Sequence, residues 1–145
     1  RIAKEYPSIT TDHYIIDIGA AKLASDPERF DMIVTMNLYG DIISDIAADV
    51  AGSVGLGGSS NVGENFAMFE AIHGSAPDIA GKGMANPMAA VLSGALMLEH
   101  LGLHDASLNV NQAVAKVLKA GAPRTPDLGG KASTKEITEA ILAAL

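Results

Sequence analysis

Between Ala51 and Gly63 the sequence places five glycines and three serines. Glycine loses more backbone freedom on folding than any other residue, so such a stretch is too flexible for a helix interior, and its serines make it too polar for a buried strand. It reads as a connection, with one set of elements before it and another after. Backbone amides of glycine-rich loops also cradle phosphates. The two spacings that do so most recognisably, G-x-x-x-x-G-K-[ST] and a G-x-G-x-x-G between strand and helix, are both absent here.

Before the connection the pattern alternates. Residues 13–18 read as a short strand and 18–24 as a helix that stops near Ser25-Asp26-Pro27. Residues 30–36 (Phe-Asp-Met-Ile-Val-Thr-Met) read as an apolar strand, and a helix opens at Asn37. After the connection, residues 66–72 read as a strand. Asn86 followed by Pro87 is a helix start, with Asn capping and Pro at the first helical position, and this helix runs to about Leu101 before Gly102. It is apolar almost all round, as a helix buried in a core or an interface is. Asp105 is expected to cap a further helix whose stripe is Val110, Ala113, Val114, Val117 and Leu118, ending at Gly121. Residues 122–130 form a loop, and Ser133 with Glu136 makes a capping box for a last helix carrying Ile137, Ala140, Ile141 and Leu145. Strands alternating with helices predict an α/β fold.

Composition narrows the function. A net charge of −7 with only ten Lys and Arg argues against nonspecific nucleic-acid binding, which depends on basic side chains meeting phosphates. Absence of cysteine removes disulfide and thiolate chemistry and fits a reducing compartment, so the expectation is a cytoplasmic protein. The longest apolar run, residues 84–98, is interrupted by Asn86, Pro87, Ser93 and Gly94, and no membrane partner is expected.

In the helix that opens at Asn37, Asp41, Asp45 and Asp49 recur every four residues and share one side. Like charges so spaced destabilise a helix by roughly 0.2–0.5 kcal/mol per pair. Such a side is either a solvated acidic face or a site for a hard divalent cation such as Mg²⁺.

Two longer motifs carry a resemblance. The run Asn37-Leu38-Tyr39-Gly40-Asp41-Ile42-Ile43-Ser44-Asp45 through Gly52-Ser53-Val54-Gly55-Leu56 resembles the signature of the isocitrate and 3-isopropylmalate dehydrogenases. His73-Gly74-Ser75-Ala76-Pro77-Asp78-Ile79-Ala80-Gly81-Lys82-Gly83 resembles that family's adenosine-binding loop. The resemblance extends from Glu5-Tyr6-Pro7 to the last helix. It implies a fragment of the isocitrate/isopropylmalate dehydrogenase fold, with a mixed sheet flanked by helices and no Rossmann arrangement. Residues 1–51 would belong to a small, dimer-forming domain and 52–145 to a large, NAD-binding one, with metal and cofactor in a cleft between them.

The resemblance also implies roles. Asp41 and Asp45 would bind Mg²⁺ or Mn²⁺, and Asp17 would reach the metal of the partner subunit, making a homodimer with a shared active site. His73, Gly74, Ser75, Ala76, Pro77, Asp78, Ile79 and Asn86 would bind the cofactor, with Asn86 at the adenine. Asp78 would accept hydrogen bonds from ribose hydroxyls and repel the 2′-phosphate of NADP, whereas NADP-preferring relatives carry Lys and Tyr at Asp78 and Ile79; this implies NAD. The family's catalytic tyrosine and lysine, and the arginines that grip the 2-hydroxy acid, match nothing here. The chain is therefore expected to be the later part of a longer enzyme, inactive alone, and residues 1–6 read as the end of a truncated helix. Phe69-Glu70-Ala71 favours isocitrate as substrate, while Pro126-Asp127-Leu128-Gly129-Gly130 is as familiar from isopropylmalate enzymes. A noncatalytic regulatory or interaction subunit is the reading from a different class.

Overall fold

A computed structural model describes residues 2–145. The regular elements are α1 (Ile16–Ser25), α2 (Asn37–Val50), β1 (Gly58–Val62), β2 (Ala67–Ala71), α3 (Met88–His100), α4 (His104–Ala120) and α5 (Thr134–Ala144), joined by short 3₁₀ turns. The α/β class holds. Of the expected mixed sheet, the described residues contain one antiparallel pair, β1 against β2, in register from Gly58 opposite Ala71 to Val62 opposite Ala67.

The core lies where the amphipathic stripes of the later helices meet. Met88 of α3, Ala113, Val114 and Val117 of α4, and Ile137 and Ile141 of α5 form one buried cluster. These are the positions the 3.6-residue period selects on α4 and α5. A smaller contact joins α1 to α2, where buried Leu23 and Ile43 line one hollow.

Helix termini follow local chemistry. At the start of α5 the Ser133 hydroxyl accepts from the Glu136 amide at 3.2 Å while the Glu136 carboxylate accepts from the Ser133 amide at 2.8 Å, the reciprocal capping box read from sequence. A cap of this kind contributes about 1 kcal/mol. Asn86 Oδ1 accepts from the Met88 amide at 3.0 Å, the first amide of α3, while the N-cap position falls on Pro87, one residue later than expected. Asp105 does not cap α4. Gly102 sits at φ 77° and the Leu103 amide returns to the Leu98 carbonyl at 2.9 Å, a C-terminal reversal so tight that α4 begins at His104, leaving Asp105 inside its first turn.

Two expected strands are absent among the described residues. Residues 13–15 are followed at once by α1, and residues 31–35 form no ladder. A strand is defined by its partner, and none lies beside either segment; Met32, Val34 and Met36 are 82%, 90% and 73% exposed. The glycine-rich connection, by contrast, holds a 3₁₀ turn (Val54–Leu56) and all of β1. Its serines suit a strand that is half-exposed rather than buried. Gly58 is needed there because a Cβ would come within 2.9 Å of the Ser93 backbone nitrogen on α3. Ser93 completes the join by donating to the Glu70 carbonyl of β2 at 2.7 Å. At the chain start Ile2–Glu5 form a 3₁₀ turn, and Arg1 of the helix end expected at residues 1–6 lies outside the described residues.

Candidate functional site

Asp41 and Asp45 lie one turn apart on α2, both exposed, with no ion-pair partner among the described residues. The first turn of α2 is anchored by Gly40 N donating to the Met36 carbonyl at 2.9 Å, and buried Ile43 lies on the side opposite Asp41 and Asp45. Asp49 continues the acidic face and is likewise exposed. Asp17 stands in the first turn of α1, where its own Oδ1 accepts from the Ile18 amide at 2.7 Å. The structure does not gather Asp17 with Asp41 and Asp45: no group of three or more acidic or histidine ligands forms among the described residues. Two exposed carboxylates on one helix face fit a hard cation as part of a ligand set, with room for oxygens supplied from elsewhere.

Residues 73–83 form an exposed loop leaving β2. His73 Nδ1 meets the Gly74 carbonyl at 2.9 Å, and the Ile79 amide donates to the Ala76 carbonyl at 3.1 Å, closing a turn that contains Pro77 and Asp78. Ala76 has φ 40°, a left-handed conformation uncommon for a residue with a side chain. Gly74, Ser75 and Asp78 are exposed around this turn and Ile79 is half-buried. The loop's far end is fastened to α5, where Thr134 donates from its amide to the Gly83 carbonyl at 2.8 Å and from its hydroxyl to the Ala85 carbonyl at 2.6 Å.

Asn86, 8% exposed, follows directly. Beside its capping bond it donates from Nδ2 to Asp127 Oδ2 at 3.0 Å. The same oxygen accepts from the Ser53 hydroxyl at 2.6 Å, and Ser53 Oγ in turn accepts from the Gly55 amide at 2.9 Å. Residue spacing gave no sign that Ser53, Asn86 and Asp127 meet; the motif containing Asp127 and the capping role of Asn86 were visible, their junction was not.

Burial pushes the Asp127 carboxyl up, but the bonds it accepts, that from Ser53 foremost and that from Asn86 with it, outweigh the burial and hold the group below the usual carboxylate range. The buried Thr125 hydroxyl meets no partner in hydrogen-bond geometry. The sign of the linkage follows. A depressed folded-state pKa stabilises the fold above the unfolded value, and that contribution is lost as pH falls through the folded value. Acid unfolding followed by circular dichroism should show this: below the ordinary carboxylate range, wild type loses stability that Asp127→Asn, already lacking the anion, does not lose. Parallel acid limbs for the two proteins would contradict it.

Two hollows have linings that include none of these carboxylates. One of about 320 Å³ runs between α1 and α2, lined by Leu23, Phe30, Ile33 and Ile43, and one of about 520 Å³ lies beside Arg124 and Gly130. No helix among the described residues is long and apolar enough to cross a membrane.

Helices packed on a small antiparallel pair, with an acidic helix face and an exposed loop after β2, define an α/β chain. The crystal structure of isocitrate dehydrogenase from Methylococcus capsulatus matches it with a TM-score of 0.96 at 48% identity, over 99% of this chain and 43% of that one. Residues 1–141 match the family described as isocitrate/isopropylmalate dehydrogenase, and the chain belongs to that family. It is 54% identical over 144 residues to an isocitrate/homoisocitrate dehydrogenase of Thermus thermophilus, covering 99% of this chain and 43% of that relative. It is 53% identical over 150 residues to an isocitrate dehydrogenase [NADP] of Rickettsia typhi, covering 99% of this chain and 31% of that relative. The chain thus spans less than half the length of these relatives.

Proposed function

We propose that this chain is the C-terminal portion of a metal-dependent oxidative decarboxylase that converts isocitrate to 2-oxoglutarate and CO₂ with NAD. The observation that carries the reading is the presence in one family member of both the paired carboxylates on α2 and the loop 73–79 with Asp78 at its turn. Asp41 and Asp45 hold Mg²⁺ or Mn²⁺ together with Asp17 of a second subunit; the bound cation supplies Lewis-acid polarisation of the substrate and stabilises the charge that develops as CO₂ departs. The loop orients the adenosine half of NAD, Asp78 accepting from ribose hydroxyls and Asn86 standing at the adenine. Residues 1–51 belong to the smaller, dimer-forming domain and 52–145 to the larger one. Apolar Ile18, Leu38 and Ile42, 48%, 66% and 50% exposed on α1 and α2, support a subunit contact at that end.

3-Isopropylmalate is the alternative substrate, favoured by the sequence of the 126–130 turn. The deciding experiment follows NADH formation by the full-length enzyme with isocitrate or isopropylmalate, with and without Mg²⁺. Metal-dependent turnover of isocitrate supports the reading; turnover of isopropylmalate alone selects the other acid, and no turnover of either overturns both.

Cofactor choice has its own test, because the Rickettsia typhi relative, named for NADP, is nearly as similar as the Thermus thermophilus one. Exchanging Asp78→Lys together with Ile79→Tyr removes the repelling carboxylate and adds a charged donor. Charge-assisted hydrogen bonds contribute about 1.5–3 kcal/mol, so the NADP:NAD ratio of kcat/KM should rise by roughly 10- to 100-fold. An unchanged ratio would remove Asp78 from the selectivity argument.

A further inference from the structure

We propose that Asp127 is a positioning residue for the adenine end of the cofactor site, acting by fixing the side-chain amide of Asn86. The inference rests on the reading that Asn86 stands at the adenine. An asparagine amide can be turned end for end, and its plane is set only when both ends have distinct partners. Here Oδ1 must face the Met88 amide, a donor, and Nδ2 must face Asp127 Oδ2, an acceptor. Satisfying the first amide of α3 requires only the first of these bonds. The second does nothing for the helix; what it adds is a single orientation of the amide.

The carboxylate is itself held. Ser53 donates to Oδ2 and is oriented in turn by the Gly55 amide, so three segments distant in sequence converge on one oxygen. Gly55 presses against the pair: a Cβ there would come within 2.8 Å of Asn86 Cβ and 2.9 Å of Asp127 Oδ2. From the other side, Thr134 holds the carbonyls of Gly83 and Ala85, fixing the backbone that enters Asn86. Asp127 is exposed as a residue, yet its carboxylate oxygen is turned into part-buried bonds with two side chains. The adenine contact is thereby made rigid before the cofactor arrives, which lowers the ordering cost of binding.

The test uses the full-length enzyme and compares Asp127→Asn, Asn86→Ser and the double variant, with Ser53→Ala as the milder perturbation of the same oxygen. Asn86→Ser keeps a capping hydroxyl and loses the amide. The readouts are KM for NAD, kcat, and the inhibition constant of ADP-ribose, which carries the adenosine half without nicotinamide. The expected result is a rise of about tenfold in KM for NAD and in the ADP-ribose constant for Asp127→Asn, with kcat held within about twofold and a smaller rise for Ser53→Ala. In the Asn86→Ser background the Asp127 substitution should add nothing further. If Asn86→Ser weakens NAD and Asp127→Asn does not, or if the two effects simply add, the positioning role is overturned while the adenine reading stands. If Asn86→Ser leaves KM for NAD unchanged, the adenine reading itself falls and takes the proposal with it.

Discussion

Asp41→Asn in the full-length enzyme is expected to lower metal-dependent turnover by about a thousandfold, since losing a charged metal ligand removes several kcal/mol of transition-state stabilisation at about 1.4 kcal/mol per decade. The substitution keeps size and one acceptor oxygen. It removes one of the two charges, on Asp41 and Asp45, assigned to the cation, and with it part of the attraction that draws a hydrated cation from solvent. Asp49 supplies the control on the same helix: it is exposed, one turn beyond Asp45, and matches no ligand of the family pattern. Asp49→Asn should leave turnover within about twofold, as surface substitutions generally do. Titration with Mg²⁺ separates the explanations, because a lost ligand raises the metal concentration required whereas a damaged fold does not. Equal turnover by wild type and Asp41→Asn across that titration would return the acidic side of α2 to an ordinary solvated face.

The second large effect is on stability. Ile137 is 0% exposed and packs with Met88, Val114 and Ile141 where α3, α4 and α5 meet. Ile137→Ala deletes three carbons from a site with no access to water, and the expected destabilisation is about 2–5 kcal/mol, the range for emptying a packed core position. Hydrogen exchange of the α4 and α5 amides reads it directly, since these helices share the cluster. Exposed Leu142 on α5, 63% accessible, is the comparison, and truncating it should cost under about 0.5 kcal/mol. Similar protection in both variants would mean that the stability of this region lies elsewhere.

Helices were legible in the sequence because their signals are local. Ser133 and Glu136 are three residues apart, Gly121 adopts the left-handed φ of 76° expected just past a helix, and the α4 stripe needs no information from other segments. Strands were read less well because half of each strand's definition lies in another segment. Residues 66–72 found their partner in β1, a segment whose composition pointed to a loop, while residues 30–36, the stronger apolar pattern, have none here. Asp105 was misplaced by the compactness of the turn at Gly102, a tertiary economy that propensity does not record. Of the candidate site, the α2 face followed from helical spacing. The junction of Ser53, Asn86 and Asp127 did not, because it depends on chain segments up to 74 residues apart meeting at one oxygen.

The unpaired run at residues 31–35 also bears on handling the polypeptide. An apolar run outside any ladder, carrying Met32 and Val34 almost wholly in water, is a surface on which a second chain can stack. Expressed by itself, this stretch would seed precipitation at high concentration, and a lysine at Val34 would act as a gatekeeper against it without altering the acidic residues of α2 or the loop 73–83.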